Sequence, residues 1–78
     1  MNNSQQMLEA LNQQDLAKAD SYFQKAIEED SDEVLLELAS YLEGIGFYPQ
    51  AAQIYEKLAQ KFPEVYINLA AIAGEDGL

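Results

Sequence analysis

The side chains best equipped for chemistry in this chain are carboxylates, and they crowd into one run, EEDSDE, from Glu28 to Glu33. Clustered carboxylates raise the question of calcium. An EF-hand loop places its ligands at alternate positions, turns on a mid-loop glycine and ends on a fixed closing glutamate. This run has no such glycine and lies across a short junction between two helical patterns, so it reads as a solvated capping cluster, without a metal. Other catalytic chemistries lack their usual parts. The 78 residues include no Cys and no His, which removes disulfides, Cys-based zinc or iron–sulfur sites, and His-based acid–base pairs. Gly44–Gly46 (GIG) is too short for a phosphate loop, with no Lys-Ser or Lys-Thr after it, and reads as a turn. Five tyrosines could form a ligand cage, but Tyr48, Tyr55 and Tyr66 fall at helix-core spacing, where packing is the stronger reading. Tyr22 and Tyr41 are less determined.

Charge and length bound the class. Fourteen acidic residues against four lysines and no arginine give a net charge of −10. Such a chain repels phosphate, so nucleic acid and anionic membrane surfaces are disfavoured as partners. A hydrophobic content of 49% is too high for disorder and places the acidity on a folded surface. The N-terminal MNNSQQ has neither a basic region nor a long apolar run, and no window approaches the roughly 20 apolar residues of a membrane span. A soluble, cytoplasmic protein is expected. One small domain is the limit, since a chain of this size buries only about 60% of its unfolded surface.

The elements follow from apolar residues at alternating three- and four-residue steps. Five helices are expected: one around Met7, Leu8 and Leu11; a second on Leu16, Ala19, Phe23 and Ala26; a third on Leu35, Leu38, Leu42 and Ile45; a fourth on Tyr48, Ala51, Tyr55, Leu58 and Phe62; and a fifth on Tyr66, Leu69, Ala70 and Ala73. No segment alternates with period two. Ser4 is the expected cap of the first helix, and Asp15 favours the start of the second. Asp30 and Ser31 are cap types for the third, with Asp30-x-x-Glu33 as a capping box. Gly44 and Gly46 would let that helix end left-handed. Pro49 fits only the first turn of the fourth, and Pro63 stops the fourth and opens the fifth.

The second and fourth helices echo one another at a fixed interval. Leu16 falls on Tyr48, Ala19 on Ala51, Phe23 on Tyr55, Lys25 on Lys57 and Ala26 on Leu58. Leu35-x2-Leu38-Ala39-x2-Leu42, then Ala51-x3-Tyr55, then Pro63, resembles the tetratricopeptide repeat pattern. Tyr66-x2-Leu69-Ala70-x2-Ala73 opens a further unit, and Ala19-x3-Phe23 with Ala26 belongs to a degenerate earlier one. The units recur at an interval slightly shorter than that family's own period. The resemblance implies an all-α fold of antiparallel helical hairpins stacked as a right-handed solenoid. It would form one domain over 1–78, with repeat one at 1–31, repeat two at 32–62 and the first helix of an incomplete third at 63–78. A piece of a longer array is therefore expected. Its fifth helix would lack a partner for Leu69, Ile72 and Ala73, and would self-associate or fray.

The resemblance also implies function: a non-catalytic protein-binding module, with first helices lining a concave groove. By position that groove takes Glu33, Leu36, Ser40 and Glu43 from unit two and Ile67 and Ala71 from unit three. Gln5, Glu9 and Asn12 come from unit one in a less certain register. Some family members clamp a partner's C-terminal carboxylate with basic residues here. The matching positions are Leu36, Ser40, Ile67 and Ala71, so that clamp is absent. What remains is an apolar strip with acidic edges, suited to a basic or amphipathic protein segment. Leu36 and Ile67 could equally pack against each other. The rival expectation is a structural element that assembles through its C-terminal helix. No enzyme activity, cofactor or metal is expected.

Overall fold

The computed structural model describes residues 1–76, and of Asp76 only the backbone. The chain is all-helical: α1 (Asn3–Asn12), α2 (Leu16–Glu29), α3 (Asp32–Gly44), α4 (Tyr48–Leu58), a 3-10 turn (Pro63–Val65) and α5 (Tyr66–Asp76), with no strand among the described residues. None of these helices is long and apolar enough to cross a membrane. Two compact units divide the chain, Met1–Leu35 and Leu36–Leu78, and the division falls inside α3.

In the first unit α1 and α2 form an antiparallel hairpin. Met7 and Ala10 of α1, and Ala19, Phe23 and Ala26 of α2, are buried at the three- and four-residue spacing of one helix face. Leu16 is an exception to the expected stripe. It is 65% exposed, because it opens α2 immediately after the Asp15 cap. The turn between the helices places Gln14 at φ 62°, and the Asp15 side chain accepts the Lys18 N–H at 3.1 Å.

The caps differ from expectation in two places. Asn2, not Ser4, caps α1: its side chain accepts the Gln5 N–H at 2.7 Å while the Gln5 side chain accepts the Asn2 N–H at 3.0 Å. Ser4 lies inside the first turn and is buried. Nor does Asp30 form a capping box for α3. Ser31 caps α3 instead, its Oγ accepting the Val34 N–H at 3.3 Å, and with valine at that position no reciprocal box forms. Asp30 closes α2 and turns its carboxylate to the start of α1. There it accepts hydrogen bonds from the Ser4 N–H at 2.8 Å, the Ser4 hydroxyl at 2.7 Å and the Asn3 amide at 3.1 Å. A carboxylate on the unsatisfied N–H groups of a helix start is favourable twice over, through hydrogen bonds and through the helix dipole.

In the second unit Leu38, Ala39 and Leu42 of α3 and Ala51, Ile54, Tyr55 and Leu58 of α4 are all at most 2% exposed. Small residues at 39 and 51 leave room for helix backbones to approach; the larger side chains fill the remainder. Only one of the two turn glycines is left-handed. Gly46 has φ 88°, whereas Gly44 is the last residue of α3 itself. Ile45, outside the helix, is 45% exposed. Pro49 sits in the first turn of α4, where its missing N–H removes no helical bond.

Pro63 acts earlier in the chain than its own position. Helix α4 ends at Leu58, and Phe62, expected on its inner face, lies off the helix and 38% exposed. The residue before a proline is pushed toward extended backbone, and Phe62 has φ −127°, ψ 79°. Pro63 then opens the 3-10 turn that leads into α5. On α5 the buried residue is Ile72, joined by Val65 of the preceding turn, both facing α4. Tyr66, expected in the core, is 61% exposed; Ala70 is exposed and Leu69 and Ala73 are half-buried. Ile72 therefore has the packing partner it was expected to lack.

Candidate binding groove

Helices α3 and α5 approach one another along a shallow, open groove in the second unit. Ser40, Glu43 and Gly44 line one side, Asn68, Ala71 and Glu75 the other, and Tyr48 at the start of α4 lies between. The spacing explains the two walls. Residues 40 and 44, and residues 68, 71 and 75, are three or four apart, so each set forms one stripe along its helix. Leu36 lies one turn before Ser40 on the same stripe and Ile67 one turn before Ala71. They do not line the groove but flank it, 44% and 75% exposed. Exposure at this level leaves each of them with apolar surface open to solvent.

Glu43 is the most constrained charge of the groove. Tyr55 on α4 is only 1% exposed, and its hydroxyl donates to Glu43 Oε1 at 3.1 Å. Burial pushes the Tyr55 phenol up to about 12, helped by its hydrogen bond to the Glu43 carboxylate and by that group's negative charge. The bond leaves the second carboxylate oxygen of Glu43 available. None of the lining residues is basic, while two are glutamates. Chemically, the groove offers two carboxylates, one amide, one aliphatic hydroxyl and one phenol for holding a cationic or hydrogen-bonding group.

Of the residues expected at the groove, Ser40, Glu43 and Ala71 line it, and Leu36 and Ile67 flank it. Glu9, Asn12 and Glu33 belong to the first unit and are exposed there. Glu9 lines a separate shallow recess with Gln6, Gln13, Lys18 and Tyr22. Gly44, Tyr48, Asn68 and Glu75 join the groove beyond expectation. Helical spacing from Ser40 and Ala71 points to Gly44, Asn68 and Glu75. Tyr48, expected in the core, is half-buried at the groove.

No protein-family model, curated protein or solved structure matches the chain.

Proposed function

We propose that the chain is a tetratricopeptide-like helical-repeat module that acts without catalysis, binding a basic or amphipathic protein segment in the groove between α3 and α5. The observation that carries this reading is the make-up of the groove: Glu43 and Glu75 on its walls, no basic residue, and exposed Leu36 and Ile67 along its rim. Two apolar anchors beside two carboxylates complement a segment that alternates apolar and basic side chains. The net charge of −10 adds long-range attraction for such a partner.

Affinity for a synthetic basic amphipathic peptide tests it. Binding should weaken several-fold as salt rises beyond roughly 0.15 M, where the screening length is about 8 Å. Leu36→Glu should cost more than about 1.4 kcal/mol, a tenfold loss. Affinity indifferent to both changes contradicts the groove.

A second reading is favoured by one feature. Tyr66 and Ile67 on α5, with Phe62 just before it, are exposed large apolar residues close in sequence. Such an edge suits assembly with another chain through α5, as a structural or oligomerisation element.

A further inference from the structure

Glu43 and Glu75 both line the groove, but they are not held alike. Glu75 is exposed on α5, whereas Glu43 is half-buried on α3. One oxygen of Glu43, Oε1, accepts the Tyr55 hydroxyl at 3.1 Å. Tyr55 is 1% exposed, so this bond comes from the interior of the unit. It orients the carboxylate as well as occupying it. The direction of the bond is fixed too. Burial and the neighbouring Glu43 push the phenol up to about 12, so it keeps its proton and donates throughout the neutral range.

That tether bears on which cation the groove prefers. A guanidinium meets a carboxylate as a fork, with two parallel N–H groups on two oxygens. An ammonium is a compact charge whose donors rotate, and one oxygen suffices for it. On an untethered carboxylate the fork gives arginine the advantage. At Glu43 one prong would have to share Oε1 with Tyr55, at the end of the carboxylate held by a buried side chain. The ammonium needs only the other oxygen, so lysine is not penalised.

We propose that Tyr55 is a specificity-determining positioning residue, whose hold on Oε1 of Glu43 makes the groove select lysine side chains over arginine. This deepens the groove reading, rests on it, and names lysine as the basic residue of the partner segment.

Two capped synthetic peptides test it, one alternating leucine with lysine and the other leucine with arginine, each titrated into the 15N-labelled full chain at low salt. The readout is the ratio of arginine to lysine affinity. Exposed Glu75 offers a fork to arginine in wild type and Tyr55→Phe alike, so its effect cancels when their ratios are compared. Tyr55→Phe keeps the ring and releases Oε1. The ratio should then rise about two- to tenfold, the worth of one hydrogen bond, chiefly through tighter arginine binding. A purely structural role for Tyr55 would weaken both peptides equally and leave the ratio unmoved, which overturns the proposal. A second variant does not depend on Tyr55→Phe staying folded. In Glu75→Gln, a change at an exposed site, Glu43 is the one carboxylate left on the groove walls among the described residues. There the lysine peptide should bind at least as tightly as the arginine peptide; a several-fold preference for arginine would overturn the proposal. Amide shifts separate this result from failure of the groove itself. If neither peptide moves the Ser40, Glu43, Asn68 and Ala71 amides, the groove reading falls and the proposal with it. If those amides shift while the ratio ignores Tyr55→Phe, the groove reading stands and only the proposal falls.

Discussion

Asp30 shows how one carboxylate can tie a hairpin shut. It ends α2, yet its partners are Ser4 and Asn3 at the start of α1. Burial alone would raise its pKa; the hydrogen bonds from Ser4 and Asn3 outweigh that and hold it below the ordinary 3.8. A carboxyl with a depressed folded pKa stabilises the fold above its unfolded value, and the contribution disappears as pH falls through the folded value. Acid titration of the wild type should therefore show stability falling below about pH 4, with a shallower fall in Asp30→Asn when both are followed by circular dichroism. Asp30→Ala strands the buried Ser4 hydroxyl and N–H, and should cost about 1–3 kcal/mol in denaturant unfolding. Tyr55 carries the opposite sign. Its phenol is raised to about 12, so the stability linked to it is present below the unfolded value near 10 and is lost as pH climbs from there toward 12. Tyr55→Phe keeps the ring in the core and removes only the bond to Glu43, a loss of about 0.5–1.5 kcal/mol. Neither residue's role was visible in local patterns. Asp30 next to Ser31 looks like a helix cap, and nothing nearby in sequence reveals a bond partner at the far end of the hairpin.

At the scale of elements, the turn glycines separate two physical effects. A side chain at Gly46 would meet open space but would be forced to φ 88°, so Gly46→Ala should destabilise by about 1–2 kcal/mol. Gly44 and Gly74 also face open space and have helical backbones. There alanine should stabilise by about 0.5–1 kcal/mol. Thermal melts of the three variants check both signs. Helix existence was legible because Ala19, Phe23 and Ala26, like Ala51, Tyr55 and Leu58, recur at helical spacing among polar neighbours, and all six are buried. Rotation was legible only where that contrast exists. In α5, YINLAAIA is apolar at all but one position, so the stripe through Val65 and Ile72 and the stripe through Tyr66 and Ala70 are equally apolar. Tertiary packing on α4 selected the first. Periodicity likewise carried Phe62 onto α4, whereas the backbone restriction imposed by Pro63 removes it.

For the whole molecule, charge and apolar exposure point outward together. The lysines belong to α2 and α4 or follow it directly, while Glu43 and Glu75 face the groove with Leu36 and Ile67 at its edge. Ser40, Glu43 and Ala71, which line the groove, were named in advance only through the tetratricopeptide resemblance, which implies that first helices line a concave side. Tyr48 was not, since its spacing from Ala51 and Tyr55 is that of a core residue and only the start of α4 beside the groove gives it another role. Amide shift mapping with a basic amphipathic peptide is the most direct test of the binding account. Saturable shifts centred on Ser40, Glu43, Asn68 and Ala71, diminished by Glu43→Gln and by added salt, are the predicted result. Saturable binding whose shifts leave those four amides unmoved, or no binding at low salt, would contradict it.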